Sequence, residues 1–304
     1  MIKPNLIFVI FVSVLLLFII ISILFTNSFF KYINIKNIIH KLKEIYYEQL
    51  YNSIAFDHYN LSLIYNNNYN TIKIKHKLNK NKNLPVCVFG ILVNDRGIEY
   101  EKSMLKWLLP EYDVYCVYQK YPGKLFEYPA LRFAQWLSIE YNISIILYIH
   151  TKGASHPHID QYYTRILWKH EFTKPKNKIY INLLKNNSAD ISLPFRLDYY
   201  TWYNSMFISN RAFQLINMIE ANSTNRFYYE DFFKNSINDS NNVRLKGVLN
   251  DSITSKQVYF SLYKYINQLN SITIKNNKKI IIRLIILIIS LFFFIYLKIL
   301  NSFN

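Results

Sequence analysis

The 304-residue sequence has two cysteines, five glycines and eight prolines. Two cysteines cannot staple a small secreted scaffold, and Cys87 and Cys116 form no Cys-x-x-Cys pair, so neither a disulfide framework nor a dithiol centre is expected. Both are read as buried thiols. So few glycines exclude collagen-like and Gly-rich linker architectures. There is no G-x-x-x-x-G-K-[ST], no G-x-S-x-G and no H-E-x-x-H, which counts against the common NTPase, hydrolase and zinc-protease classes. Acids are also scarce: 19 Asp and Glu face 36 Lys and Arg, a formal net charge of +17. That charge is dispersed among Asn and Tyr, so it does not read as a nucleic-acid footprint.

Apolar and aromatic residues are plentiful, at 51% and 17% of the chain. They are unevenly spread. Residues 6–25 form an uncharged run long enough to cross a hydrocarbon core as a helix, and residues 1–30 are read as an N-terminal transmembrane anchor. A signal peptide would end in a small-residue cleavage site, which residues 26–31 do not offer. A second run, 280–300, carries Arg283 and Lys298 near its ends, where long side chains can snorkel to the interface, and is read as a second span. The lipid bilayer is therefore an expected partner. The alternative for the second run is a core-docked or amphipathic C-terminal helix, because its uncharged stretch, 284–297, is short for a span.

Residues 31–83 read as a helical stalk followed by a polar tether. Tyr32, Ile35, Ile38, Ile39, Leu42, Ile45 and Tyr46 recur at helical spacing, while 66–83 is basic and lacks strong periodicity. All five glycines and seven of the eight prolines fall between Leu84 and Gly247, so turn chemistry outlines one compact domain at 84–250, with a helical linker at 251–279. Inside the domain, 85–93 and 113–118 are short apolar runs expected as strands, and 98–109 is a helix ended by Pro110. Residues 129–141 open with Pro at a first helical position, and 144–149 is a third buried strand. Strand, helix, strand, helix, strand argues an α/β fold whose mostly parallel sheet carries helices on both faces. Ligands of such sheets sit beyond the strand carboxyl ends.

The residues next in line are His150, Thr151, Lys152 and Gly153. The block EYPALRFAQWL followed by ILYIHTKGASH, with Arg165 and Glu171 downstream and FYYEDFF at 227–233, resembles a family of membrane-anchored glycosyltransferase-like proteins. That family carries an HTKG signature and is distantly similar to rhamnan-synthesis-type polysaccharide proteins. The resemblance covers residues 86–233, about half of the chain and the usual size of one domain. It implies a GT-A-like, Rossmann-like sheet that binds a nucleotide-sugar donor as co-substrate, and a glycan, protein or lipid acceptor. It also implies an endomembrane location, ER or Golgi.

GT-A enzymes typically end the strand leading into the site with an Asp-x-Asp pair that holds a divalent metal. This strand ends in His-Thr-Lys. Hard cations want carboxylate oxygens, so no metal ligands are assigned; the donor is the one co-substrate named, and a divalent metal stays open without support from an Asp-x-Asp motif. Lys152 offers a point charge, Thr151 a hydroxyl and the Gly153 turn backbone donors, a set suited to a departing diphosphate together with His150 and Arg165. The bland reading is that His150 caps its strand and Lys152 is solvated. Glu230 and Asp231 follow three aromatics, which suits a general base of raised pKa, and they resemble the acid pair of inverting sugar transferases. Acids also favour first helical turns. Asp95, in VNDRG, is placed to read a ribose or base, or simply to form a turn. Trp202 and Asn204 suit a sugar ring or the core. His156, His158, Asp160 and His170 complete no recognised zinc pattern.

The topology signals disagree. Lysines flanking both apolar runs would keep the central domain cytosolic. Six N-x-[ST] sequons (Asn60, Asn142, Asn186, Asn222, Asn238, Asn250) point to a lumenal domain, though an Asn-rich chain generates them by chance. The leading expectation is a membrane-anchored glycosyltransferase. The alternative is a catalytically inactive relative that binds carbohydrate or scaffolds other membrane enzymes.

Overall fold

The computed structural model describes residues 14–15, 35–65, 70–77, 84–123, 125, 127–151, 154, 159–197, 200–201, 205–221, 243–251, 257, 260–269 and 271. Apart from Val14 and Leu15, which are helical, both apolar runs lie outside these residues. Among the described residues no helix is long and apolar enough to cross a membrane.

The chain runs α1 (Ile35–Ser53), α2 (Leu61–Ile64), β1 (Ile72–Lys77), β2 (Val86–Val93), α3 (Asp95–Leu108), β3 (Asp113–Lys120), α4 (Tyr128–Glu140) and β4 (Ile145–His150). It continues through α5 (Ile159–Glu171), α6 (Asn177–Lys185), β5 (Ile191–Leu197), β6 (Tyr200–Thr201), β7 (Met206–Ser209), α7 (Asn210–Leu215) and β8 (Leu245–Asp251). Residues 260–269 form a further helix.

The eight strands make one mixed sheet in the order β1-β3-β2-β4-β7-β5-β6, with β8 also paired to β5. β2 pairs parallel with both β3 and β4, and β5 pairs parallel with β8. β7 is inserted antiparallel between β4 and β5, β1 is antiparallel to β3, and β6 to β5. β2, β3, β4, β5 and β8 therefore point one way and β1, β6 and β7 the other.

Period-two alternation divides the core between the two faces of the sheet. Val88, Ile146 and Tyr148 point to one face, where α4 supplies Leu131, Phe133, Ala134 and Leu137 and α7 supplies Phe213. Cys87, Phe89, Ile91, Leu147 and Ile149 point to the other, against Met104 and Leu108 of α3, Trp168 of α5 and Tyr180 of α6. Each fully buried Leu, Ile or Phe here contributes about 1.5–3 kcal/mol. Cys87 and Cys116 are both buried thiols, as expected. Burial pushes both thiols up, Cys116 to about 12 with the Glu101 charge adding to it.

Two segments differ from expectation. The expected tether contains β1, in which Ile72 and Ile74 are buried while the intervening lysines lie on the half-buried side. The alternation IKIKHK is a strand pattern, and its lysines suit a sheet edge that must not pair with another chain. The expected stalk helix forms, but its C-terminal half packs on the domain. Tyr47 and Tyr51 are buried, the Tyr47 ring lies 4.9 Å from that of Tyr121, and Lys73 Nζ donates to the Tyr51 carbonyl at 2.8 Å.

Candidate functional site at the carboxyl ends of β2 and β4

The order of the strands locates a point where the winding of the sheet reverses. β2 connects through α3 to β3 on one side, and β3 connects through α4 to β4 on the other side of β2. The chain thus reverses its winding at β2, and open sheets bind ligands beyond the carboxyl ends of strands at such a point.

Hydrogen bonds stitch the two strand exits together. Thr151 N donates to the Gly90 carbonyl at 2.9 Å, and Leu92 N donates to Thr151 Oγ1 at 3.2 Å. Asn94 is buried at the exit of β2 and serves both sides: its Oδ1 accepts from Gly97 N at 2.7 Å, and its Nδ2 donates to the Ala154 carbonyl at 3.0 Å. The first bond caps α3, an interaction worth about 1 kcal/mol. The second ties the turn after β4 to the α3 N-terminus.

Two glycines make this close approach possible. A Cβ on Gly90 would stand 3.0 Å from Ala130 Cβ and 3.3 Å from His150 Cβ. A Cβ on Gly97 would stand 1.8 Å from the Leu92 carbonyl oxygen, so no side chain fits unless the backbone moves.

His150 ends β4 half-buried, its ring centroid 5.9 Å from Tyr148 and 5.8 Å from Trp168, the latter edge-on. Thr151 is 6% exposed, and its hydroxyl already accepts the Leu92 N–H. Asp95 is exposed in the first turn of α3, where a carboxylate suits the helix dipole, and Oδ2 accepts from the Tyr47 hydroxyl at 3.0 Å. Burial, then the Asp95 charge, pushes the Tyr47 phenol up to about 12 and raises Tyr46 as well. Arg165 is half-buried on α5 with its guanidinium 3.8 Å from the centre of the Tyr100 ring on α3, a cation–π contact. Burial lowers its pKa from the ordinary arginine value, and Tyr100 draws it back.

Glu171 plays a different part. It is fully buried near the end of α5, with Oε2 accepting from the Tyr180 hydroxyl at 2.7 Å and Oε1 accepting from the Tyr265 hydroxyl. His170 Nδ1 lies 3.2 Å from the same Oε1. The carboxylate thereby clasps α6 and helix 260–269 to α5, an architectural use of the acid.

This end of the sheet therefore carries Asp95, His150 and Thr151, with Arg165 on a helix that touches both α3 and His150. Lys152, Gly153, Trp202, Asn204, Glu230 and Asp231 lie outside the described residues, as do His156 and His158. Asn94, Tyr47, Tyr100 and Trp168 were not singled out from the sequence. Asn94 carried the one available signal, an N-cap residue three positions before a glycine at a helix start.

The β4 exit offers an imidazole and a hydroxyl that is already engaged, whereas a hard cation takes several oxygen ligands. Among the described residues no three His, Cys, Asp or Glu side chains group as a metal cage.

No protein-family model, no curated protein and no solved structure matches the chain.

Proposed function

We propose that the protein is a membrane-anchored glycosyltransferase that moves a sugar from a nucleoside-diphosphate donor to a glycan, protein or lipid acceptor without a bound metal. The observation that carries this reading is the winding reversal at β2, where the exits of β2 and β4 bring Asp95 and His150 to one end of the sheet. In this scheme Asp95 accepts hydrogen bonds from a ribose or base, with Tyr47 fixing its carboxylate. The acceptor hydroxyl attacks the anomeric carbon, the bond from that carbon to the diphosphate oxygen breaks, and the acceptor proton passes to Glu230 or Asp231. Lys152, His150 and Arg165 receive the charge on the departing diphosphate, the term that governs phosphoryl-type leaving groups.

The test is donor hydrolysis by the purified full chain in detergent against a panel of nucleotide sugars, with and without chelator. Turnover that survives chelator and is lost in Lys152→Ala and in either Glu230→Ala or Asp231→Ala is the expected result. Absence of both turnover and donor binding sinks the reading, and turnover abolished by chelator refutes the metal-free step.

One observation favours a second reading, that of a catalytically silent carbohydrate-binding or scaffolding protein. The Thr151 hydroxyl and both ends of the Asn94 amide are spent on internal bonds. Sugar binding without turnover in the same assay selects that alternative.

A further inference from the structure

Helix α1 has two apolar faces, and the sheet covers only one. Tyr47 and Tyr51 are buried on the domain. Ile38, Ile39 and Ile45 are 42%, 43% and 54% exposed. At about 100° per residue, Ile38, Ile39, Leu42 and Ile45 form one stripe on the side of the helix roughly opposite Tyr47 and Tyr51. Lys41 and Lys43 are exposed and fall on the two flanks of that stripe. His40 and Glu44, 59% and 49% exposed, lie outside it and form an i,i+4 pair at 3.5 Å.

The geometry points to the outer face of α1 lying in the surface of an anionic bilayer. An apolar stripe bordered on both sides by lysines is the pattern of an interfacial helix, in which the stripe enters the acyl boundary while the lysine stems rise beside it to the headgroups. The formal charge of +17 favours an anionic over a neutral surface. A second copy of the chain fits poorly. A two-fold contact through this stripe would bring the Lys41 and Lys43 rows of both copies together across an apolar seam. Because the opposite face of the same helix carries Tyr47, which holds Asp95, bilayer contact would set the candidate site close to the membrane surface. The proposal does not depend on the transferase reading, since its test contains no donor or turnover.

The test uses the full chain reconstituted in phosphatidylcholine vesicles with and without phosphatidylglycerol, carrying a nitroxide at Ile38→Cys, His40→Cys, Glu44→Cys or Ile45→Cys. The native thiols Cys87 and Cys116 are buried and do not compete for label. With phosphatidylglycerol present, labels at 38 and 45 are expected to collide with oxygen at least about threefold more than with a nickel chelate, and those at 40 and 44 to show the reverse. Lys41→Glu with Lys43→Glu, both at exposed positions, is expected to abolish the difference. Equal nickel access at all four sites overturns the proposal. So does dipolar broadening at 38 and 45 that disappears on dilution with unlabelled chain, which would assign the face to a second copy.

Discussion

At the amino-terminal end of the sheet, Asp190 precedes β5 with its side chain 2% exposed. It accepts from Arg211 Nη1 at 2.6 Å and from Arg244 Nε at 3.1 Å. Its backbone and carboxylate also meet the start of β8, where Asp190 N donates to the Arg244 carbonyl at 2.7 Å and Arg244 N donates to Oδ2 at 2.8 Å. At the carboxyl end, Asp95 is exposed and His150 half-buried, and the bonds there run between loops rather than between charges. One end consumes its charge in pairing, which closes the region where β5, β7 and β8 meet. The other end uses neutral side chains, Asn94 and Thr151, for architecture, with Asp95 exposed and His150 half-buried beside them.

Substitutions at four positions sharpen or break this contrast. The largest effect on folding is expected from Asp190→Ala, which strands two guanidinium groups and a backbone N–H. Because the arginines are 45% and 46% exposed and can hydrate, the loss falls at the low end for a broken buried pair, about 3 kcal/mol, read by urea unfolding. Donor binding per folded molecule should stay unchanged.

The same residue makes a pH prediction. Desolvation acts to raise the Asp190 pKa, but hydrogen bonds from Arg244 and Arg211 outweigh it and hold the carboxyl below its ordinary value. Its stabilisation is therefore complete above the unfolded value of about 3.9 and is lost as pH falls through the folded value. Asp190→Asn should be less stable at neutral pH and should show a shallower acid limb than the wild type.

Next is Gly97→Ala, which forces the Leu92 carbonyl aside and should cost about 2–3 kcal/mol, because that neighbour is backbone and cannot rotate away. Unlike the change at Asp190, it should also impair donor binding. Asn94→Ala removes the α3 cap and the tie to Ala154, for about 1–2 kcal/mol of stability. The comparison predicts a larger proportional loss of donor binding than of stability. The smallest effect belongs to Tyr47→Phe, which deletes one hydroxyl from an exposed carboxylate and should change stability by less than about 1 kcal/mol. Calorimetric titration with a nucleotide sugar would detect any weakening at Asp95.

Much of this end of the molecule could be read from the sequence. The strands expected at 85–93, 113–118 and 144–149 and the helices at 98–109 and 129–141 lie within a few residues of β2, β3, β4, α3 and α4. Short apolar runs bounded by Pro110, Pro129 and the glycines leave little freedom there. α3 begins three residues earlier than expected because Asn94 caps it, and the cap depends on a side-chain geometry that composition does not reveal.

Three features were not legible, and each depends on long-range packing. The antiparallel insertion of β7 between β4 and β5 joins residues some sixty positions apart, which no local period encodes. β1 was hidden because its lysines read as charge rather than as one half of an alternation. On α1, helical periodicity found the isoleucine stripe, but the domain recruited the tyrosine face instead. Periodicity identifies an apolar face without naming what will cover it. The same limit applies to the site: Asp95, His150 and Thr151 stood out, whereas Asn94, the neutral residue that ties the two strand exits together, did not.

Hydrogen-exchange mass spectrometry on the full chain in detergent, with and without a mixture of nucleoside-diphosphate sugars, tests the central claim most directly. Amides of residues 92–97 and 150–154 should exchange more slowly with donor present, while those of 187–191 and 243–245 at the opposite end should not change. Protection confined to the Asp190 end, or no protection at either end, would contradict the account.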